Sequence, residues 1–266
     1  MSNFFKDKTA LITGASMGLG ADIARLLAAS GCHLILVARS EDKLIQLQQQ
    51  LSEQHQVSIN ILVVDLAVKE AAEDVFQFVQ DNVLTKGKAL DLLVNNAGLG
   101  KTGPFADMDW QQDEQMLNLN IRSLVHLTRL FLPSMLEHKQ GRILNVASMV
   151  GFQPTPNFTT YAATKAFVLN FSEALNVELS GSGVKVSALC PGTIDTPFWQ
   201  VASKKDNWFR NLSKMDSMIV AKAAVKVLEQ GSSSRVVGLA NKVLVLSSRI
   251  LPRKLYAIVS GFLLKE

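Results

Sequence analysis

Tyr161 and Lys165 stand four residues apart in alanine- and threonine-containing, helix-forming sequence, and Ser148 closes an apolar run (Arg142-Ile-Leu-Asn-Val-Ala-Ser148) thirteen residues upstream. A helix carries residues i and i+4 on one face, so the ammonium and the phenol can share a cleft. A phenol of pKa about 10 is a poor proton-transfer group at neutral pH. A unit positive charge ~4 Å away, at an effective dielectric of ~20, favours the phenolate by roughly 4 kcal/mol before desolvation subtracts. A tyrosine tuned in this way gives a proton to a carbonyl or takes one from an alcohol. Tyr-x-x-x-Lys also occurs on solvated helix faces, so the elements around the pair decide its meaning.

Those elements alternate between apolar strands and helical patterns. Strands are expected over residues 9–13, 33–38, 59–64, 90–94, 142–147 and 184–189. Helices are expected from the glycine turn to about Ser30, over 41–54 and 68–84, and over 161–179. A long helix over 107–137 is expected to bend or end near Pro133. The pattern predicts an α/β fold: a doubly wound parallel sheet with helices on both faces and ligands at the carboxyl ends of the strands. Each chemically interesting motif falls at such an end.

The first strand turns into a helix through Thr13-Gly14-Ala-Ser16-Met-Gly18-Leu19-Gly20. Glycines permit a tight turn and close approach of a pyrophosphate, and the helix N-terminus offers N–H donors. At the end of the second strand an acidic residue would accept from a ribose 2′-OH and repel a 2′-phosphate. That position holds Ala38, followed by Arg39 and Ser40, a guanidinium fork and a hydroxyl suited to phosphate. NADP(H) is therefore expected over NAD(H), unless Arg39 simply pairs with Glu41 or Asp42. Asp65, after the third strand, either accepts from an adenine amino group or caps the next helix. Asn95-Asn96-Ala97-Gly98 ends the fourth strand with small residues that permit close approach.

With 266 residues, 48% of them hydrophobic, the chain suits one sizeable α/β domain. Cys32 and Cys190 form no CxxC, and the N-terminus lacks the apolar run of a signal peptide, so a reduced cytoplasmic setting is expected. His33, His55, His126 and His138 lack metal-ligand spacing, and no metal is expected. Arg235, Lys242, Arg249, Arg253, Lys254 and Lys265 face Glu266 alone, so residues 235–266 carry +5. The remaining 21 basic and 22 acidic residues nearly cancel, so basicity is a tail property and points to no nucleic-acid partner.

Taken together, Thr13-Gly-x-x-x-Gly-x-Gly20, Asp65, Asn95-Asn-Ala-Gly98, Asn120, Ser148, Tyr161-x-x-x-Lys165 and Pro191-Gly192 resemble the short-chain dehydrogenase/reductases, in that family's order and spacing, over nearly all of the chain to about residue 200. The resemblance implies a single-domain Rossmann-like fold over 1–234, with 235–266 as an extension of the same domain. It implies Tyr161 as general acid/base, Lys165 lowering its pKa and binding the nicotinamide ribose, Ser148 polarising the substrate oxygen, and Asn120 holding a water that links Lys165 to solvent. Gly14, Ser16, Gly18, Leu19 and Gly20 would line the phosphates, with Arg39 and Ser40 at the 2′-phosphate. Asp65, Leu66, Asn96, Ala97 and Gly98 would lie along the adenosine side, and Pro191, Gly192 and Thr196 at the nicotinamide end. The three-residue gap between Tyr161 and Lys165 favours C=O over enoyl chemistry within the superfamily.

The resemblance thins beyond residue 200. The Val-Asp-Gly-Gly type signature of the family's last strand is replaced by Arg235-Val-Val-Gly-Leu-Ala-Asn, which questions the common tetramer and leaves a homodimer through the two long helices. A substrate loop is expected over 193–218. Its Phe198, Trp199, Trp208 and Phe209, facing Leu99, Phe152 and Phe158, would suit an apolar or bulky small-molecule carbonyl or alcohol. The expected activity is NADP(H)-dependent carbonyl reduction or alcohol oxidation. The alternatives are a 3-oxoacyl thioester reductase and a non-catalytic NADP(H)-binding sensor or scaffold. The basic, apolar tail reads as helices packed on the domain or across a dimer, as a lid, or as a peripheral membrane contact.

Overall fold

Aliphatic runs bounded by turns form seven strands in the computed structural model, which describes residues 3–82, 84, 89–195 and 214–263. They are β1 (Thr9–Thr13), β2 (His33–Ala38), β3 (Ile59–Val63), β4 (Leu92–Asn95), β5 (Gly141–Val146), β6 (Val184–Cys190) and β7 (Ser234–Val236). All pair in parallel in the order β3-β2-β1-β4-β5-β6-β7. The winding reverses between β1 and β4, which opens a crevice at their carboxyl ends.

Alternation along each strand divides the core into two layers. Ile12, Leu34 and Leu36 point to one side, where they meet α1 (Gly18–Ala28), α2 (Glu41–Gln54) and α7 (Ser217–Gln230). Leu11, Ile35 and Val37 point to the other, where they meet α3 (Ala71–Asn82) and α5 (Leu124–Glu137). Leu27, Leu36, Val75 and Phe131 are almost fully buried, each worth roughly 1.5–3 kcal/mol of transfer free energy. The fold is thus a single-domain, Rossmann-like α/β sandwich with helices on both faces.

The expected long helix is three segments: α4 (Trp110–Leu117), a π-helical turn (Asn118–Ser123) and α5. Pro133 does not end the helix, since α5 runs on to Glu137. Pro133 and Arg129 both lie on the exposed face, where water can take the Arg129 carbonyl that loses its N–H partner. α6 (Thr159–Glu178) follows β5, and the unforeseen α7 precedes β7. Two tail helices complete the chain, α8 (Leu239–Ile250) and α9 (Arg253–Leu263), separated at Leu251-Pro252 because the residue before proline avoids helical geometry. Among the described residues no helix is long and apolar enough to cross a membrane.

Candidate active site

The turn after β1 is built for close approach. Gly14 (φ +65°) and Gly18 (φ +55°) occupy left-handed backbone that side chains disfavour. A Cβ on Gly14 would lie 2.9 Å from Ala97 Cα, and one on Gly20 would strike the Gly14 carbonyl. Ser16 is half-buried in the same turn, while the Leu19 side chain is committed to the core and leaves only its backbone for a ligand. Met17 caps α1 in extended geometry with no side-chain hydrogen bond, so no side chain at that position satisfies the first-turn N–H groups.

The β4 end is stitched to this turn. Thr13 Oγ1 accepts from the Asn96 and Ala97 amides, both at 3.0 Å. Asn96 Nδ2 donates to the Thr13 and Gly14 carbonyls at 2.9 and 3.1 Å. Its amide nitrogen therefore braces the glycine turn rather than reaching outward to an adenosine. Leu66 likewise turns its side chain into the core.

At the β2 end Arg39 pairs with neither Glu41 nor Asp42. Its Nη1 lies 3.5 Å from Asp65 Oδ2, while Asp65 Oδ1 accepts from the Ala67 amide at 3.0 Å. Asp65 thus ties the turn ahead of α3 through one oxygen and faces the basic residue with the other. Ser40 occupies the N-cap of α2 but makes no side-chain capping bond there.

Ser148, Tyr161 and Lys165 converge beyond β5 and are all buried. Ser148 opens a 3-10 turn (Met149–Phe152), its Oγ accepting from the Val150 amide at 3.4 Å. It also hydrogen-bonds the Tyr161 phenol, which favours the phenolate, yet burial dominates and holds the phenol well above its ordinary pKa. Lys165 Nζ donates to the Val146 carbonyl at 2.7 Å, and burial pushes its pKa down to about 8. The expected depression of Tyr161 by Lys165 is therefore absent from this geometry: the ammonium points to the strand end, 5.7 Å from the Tyr161 ring centroid. Burial also pushes the neighbouring Cys190 thiol up to about 12.

The π-helical turn directs Asn120 inward. Its Oδ1 accepts from the Leu99 amide at 2.8 Å, and its Nδ2 donates to the Leu99 carbonyl at 2.8 Å and Thr164 Oγ1 at 3.0 Å. Asn120 is thus a strut between the β4 loop and α6. Gly98 lies beside it, since a Cβ there would be 3.3 Å from Asn120 Oδ1 and 3.5 Å from Lys165 Nζ.

Tyr161 stacks on Phe158, with ring centroids 4.3 Å apart, in an apolar cluster that includes Met116, Leu99 and Val150. Phe152, expected on the same wall, packs instead with Leu124, Ala147 and Val168. The β5 and β6 loops run side by side, with the Met149 amide donating to the Pro191 carbonyl at 2.9 Å. Ile194 bridges Met215, bringing the ends of the expected substrate loop together. Thr196 and the loop aromatics Phe198, Trp199, Trp208 and Phe209 lie outside the described residues.

Two supports escaped sequence reading. Asn95 Nδ2 donates to Asn145 Oδ1, and Asn145 Nδ2 to Ser172 Oγ, both at 2.9 Å, bolting α6 to the sheet. The signal was available, because asparagine inside two apolar strands demands a buried partner. Asn241 of α8 packs against Gly192, where a Cβ would lie 2.9 Å from its Oδ1. Nothing local in the sequence marks that contact.

The short chain dehydrogenase family model matches residues 8–207, and the chain belongs to that family. It is an oxidoreductase of the type acting on carbonyl and alcohol groups. An uncharacterized oxidoreductase of Staphylococcus saprophyticus is 34% identical over 231 residues, 87% of this chain and 95% of that one. A short-chain dehydrogenase from Sphingobium yanoikuyae, solved in complex with NADPH, superposes with a TM-score of 0.80 at 31% identity, covering 91% of this chain and 93% of the other. A bulky-bulky ketone specific alcohol dehydrogenase from Comamonas testosteroni superposes with a TM-score of 0.76 at 28% identity, covering 91% and 92%.

Proposed function

We propose that this chain is an NADP(H)-dependent carbonyl reductase or alcohol dehydrogenase for apolar or bulky ketones. The observation that carries the reading is the buried Ser148–Tyr161 hydrogen bond, with Lys165 one helical turn away, across the crevice from a glycine turn that a single Cβ would fill. That turn, the side-chain-free cap of α1, and Arg39 with Ser40 fit a dinucleotide carrying a 2′-phosphate. When bound, its reduced nicotinamide supplies the hydride.

The chain's own part is proton transfer to oxygen. Burial keeps Tyr161 protonated at neutral pH, so it donates to the developing alkoxide, while the Ser148 hydroxyl orients the carbonyl oxygen. Lys165, cationic below about pH 8 and held at the strand end by the Val146 carbonyl, would bind the nicotinamide ribose. Asn120 holds the Leu99 loop against α6, and Pro191 and Gly192 flank the nicotinamide end. The apolar cluster around Tyr161 and the likeness to the bulky-ketone enzyme support the substrate class.

The test is NADPH oxidation against ketones of increasing bulk. Each added buried methylene is expected to raise kcat/KM about four-fold until the cleft is full. NADPH binding without turnover on any carbonyl would overturn the assignment.

Cofactor form rests on Arg39. The Arg39–Asp65 pair is exposed and long, so it opens at little cost to a 2′-phosphate. Arg39→Ala is expected to cut the NADPH-over-NADH preference roughly 10- to 100-fold, the worth of a charge-assisted phosphate bond. An unchanged preference in paired KM measurements removes Arg39 from the site.

We read 235–266 as an extension of the catalytic domain, supported by the Asn241–Gly192 contact. Exposed Trp110 on α4 and Phe167 and Val177 on α6 support a homodimer through these helices. Two buried free thiols suit a reducing cytoplasm.

A further inference from the structure

Among the described residues, sixteen large hydrophobic side chains are more than a third exposed, and nine of them fall between residues 239 and 262. They form stripes. Leu239, Val243, Leu246 and Ile250 recur at helical spacing on the outer face of α8, and Leu255, Ile258, Val259 and Phe262 do so on α9. Ile250 is 74% and Phe262 78% exposed, values far outside the range of packed core.

The opposite faces are committed to the domain. Asn241 and Val245 of α8 and Tyr256 and Ser260 of α9 are buried. Tyr256 Oη donates to the Leu244 carbonyl at 3.3 Å and ties the two helices together. Ser260 Oγ donates to the Pro154 carbonyl at 2.9 Å, and Gly261 lies so near Pro156 that a Cβ would come within 3.0 Å of it. The helix pair is therefore anchored to the segment that joins Ser148 to Tyr161, with its apolar stripes turned outward.

Charge selects the occupant. Residues 231–265 contain no aspartate or glutamate, while Lys242, Arg249, Arg253 and Lys254 are all exposed. Lys242 and Arg249 stand seven residues apart on one flank of the α8 stripe, and Arg253 and Lys254 open α9. A two-fold contact between copies would gather the same cations from both chains at one rim with no acidic partner in either segment. Anionic headgroups neutralise such a rim while acyl chains take the stripes.

We propose that α8 and α9 form a docking surface for an anionic phospholipid bilayer, lying in its interface and holding the catalytic cleft against it. The docking is independent of the catalytic assignment; only the delivery of a lipid-dissolved ketone to the cleft rests on that reading.

Flotation of the full-length protein with vesicles tests this. The protein is expected to rise with equimolar phosphatidylcholine–phosphatidylglycerol vesicles and to stay behind with phosphatidylcholine alone. Lys242→Gln and Arg249→Gln should each weaken partitioning about five-fold, and the Ile250→Ser, Phe262→Ser pair about ten-fold or more. All these variants should keep wild-type thermal stability and NADPH oxidation on a water-soluble ketone. Failure to float with anionic vesicles, or flotation indifferent to the stripe and charge substitutions, overturns the proposal. So does a dimer, seen by sedimentation, that the Ile250→Ser, Phe262→Ser pair dissociates without any vesicle binding. Because flotation is read without turnover, a negative ketone panel leaves this result standing, and the reverse also holds.

Discussion

Tyr161→Phe is expected to lower kcat for carbonyl reduction about 10³-fold, within the range that a positioned general acid contributes. The substitution removes one oxygen and little else. The ring keeps its stack on Phe158 and its place beside Met116, and Ser148 keeps its bond to the Val150 amide. Burial raises the phenol's pKa, so the atom deleted is a protonated donor at neutral pH rather than a charge that held the fold together. Stability should change by less than about 1 kcal/mol, as for loss of one neutral hydrogen bond. NADPH affinity, read by fluorescence titration, should be preserved, because the deleted oxygen lies at the substrate end of the crevice. Steady-state NADPH oxidation with a bulky ketone gives the rate. A variant retaining a tenth or more of wild-type kcat would mean that another group, or water, protonates the product oxygen.

The sheet was legible because its strands are aliphatic runs buried on both faces, and such runs announce themselves without neighbours. β1 and β2 were read to the residue for that reason. β7 is three residues at the sheet edge, half-buried and paired to β6 alone, too short for any period to show. The π-helical turn at Asn118–Ser123 was illegible for a different reason: its composition is that of ordinary helix, and only the ring closure differs. That closure is what aims Asn120 at Leu99 and Thr164.

Candidate site residues divide in the same way. Residue types at strand ends, such as Gly14 and Ser148, and the helical spacing of Tyr161 and Lys165 follow from local rules and were readable. Contacts between distant segments were not. Arg39 meeting Asp65 depends on the stagger of β2 against β3, and Asn241 meeting Gly192 depends on how a 32-residue tail docks. Proximity within a helix likewise does not fix electrostatics. Tyr161 and Lys165 share a face as expected, but the lysine reaches for the Val146 carbonyl, and burial overrides the attraction that spacing alone suggested.

Lys165→Met is expected to abolish turnover and to stabilise the ligand-free protein, an outcome that separates catalytic from structural roles. The ammonium is buried, and among the described residues no carboxylate pairs with it. It donates to a neutral carbonyl, that of Val146, and the adjacent Cys190 thiol stays protonated. Lowering a lysine from its ordinary 10.5 to about 8 corresponds to a cost on the order of 3 kcal/mol for holding the cation in the fold. Methionine fills similar volume without charge, and the carbonyl left behind offsets about 1 kcal/mol, so a net gain of roughly 2 kcal/mol is expected at neutral pH. Between about pH 8 and 10.5 the unfolded chain still binds a proton that the native lysine has released. Wild-type stability therefore rises across that window, and the advantage of the variant shrinks, passes through zero and reverses to a deficit of up to about 1 kcal/mol at its upper edge. Urea melts of both proteins at several pH values measure this difference directly. A variant less stable than wild type at neutral pH, or a gain independent of pH, would show that the fold does not strain to keep this cation. The expected loss of turnover in the stabilised protein would instead mark Lys165 as a charge retained against the fold's own preference because the chemistry needs it.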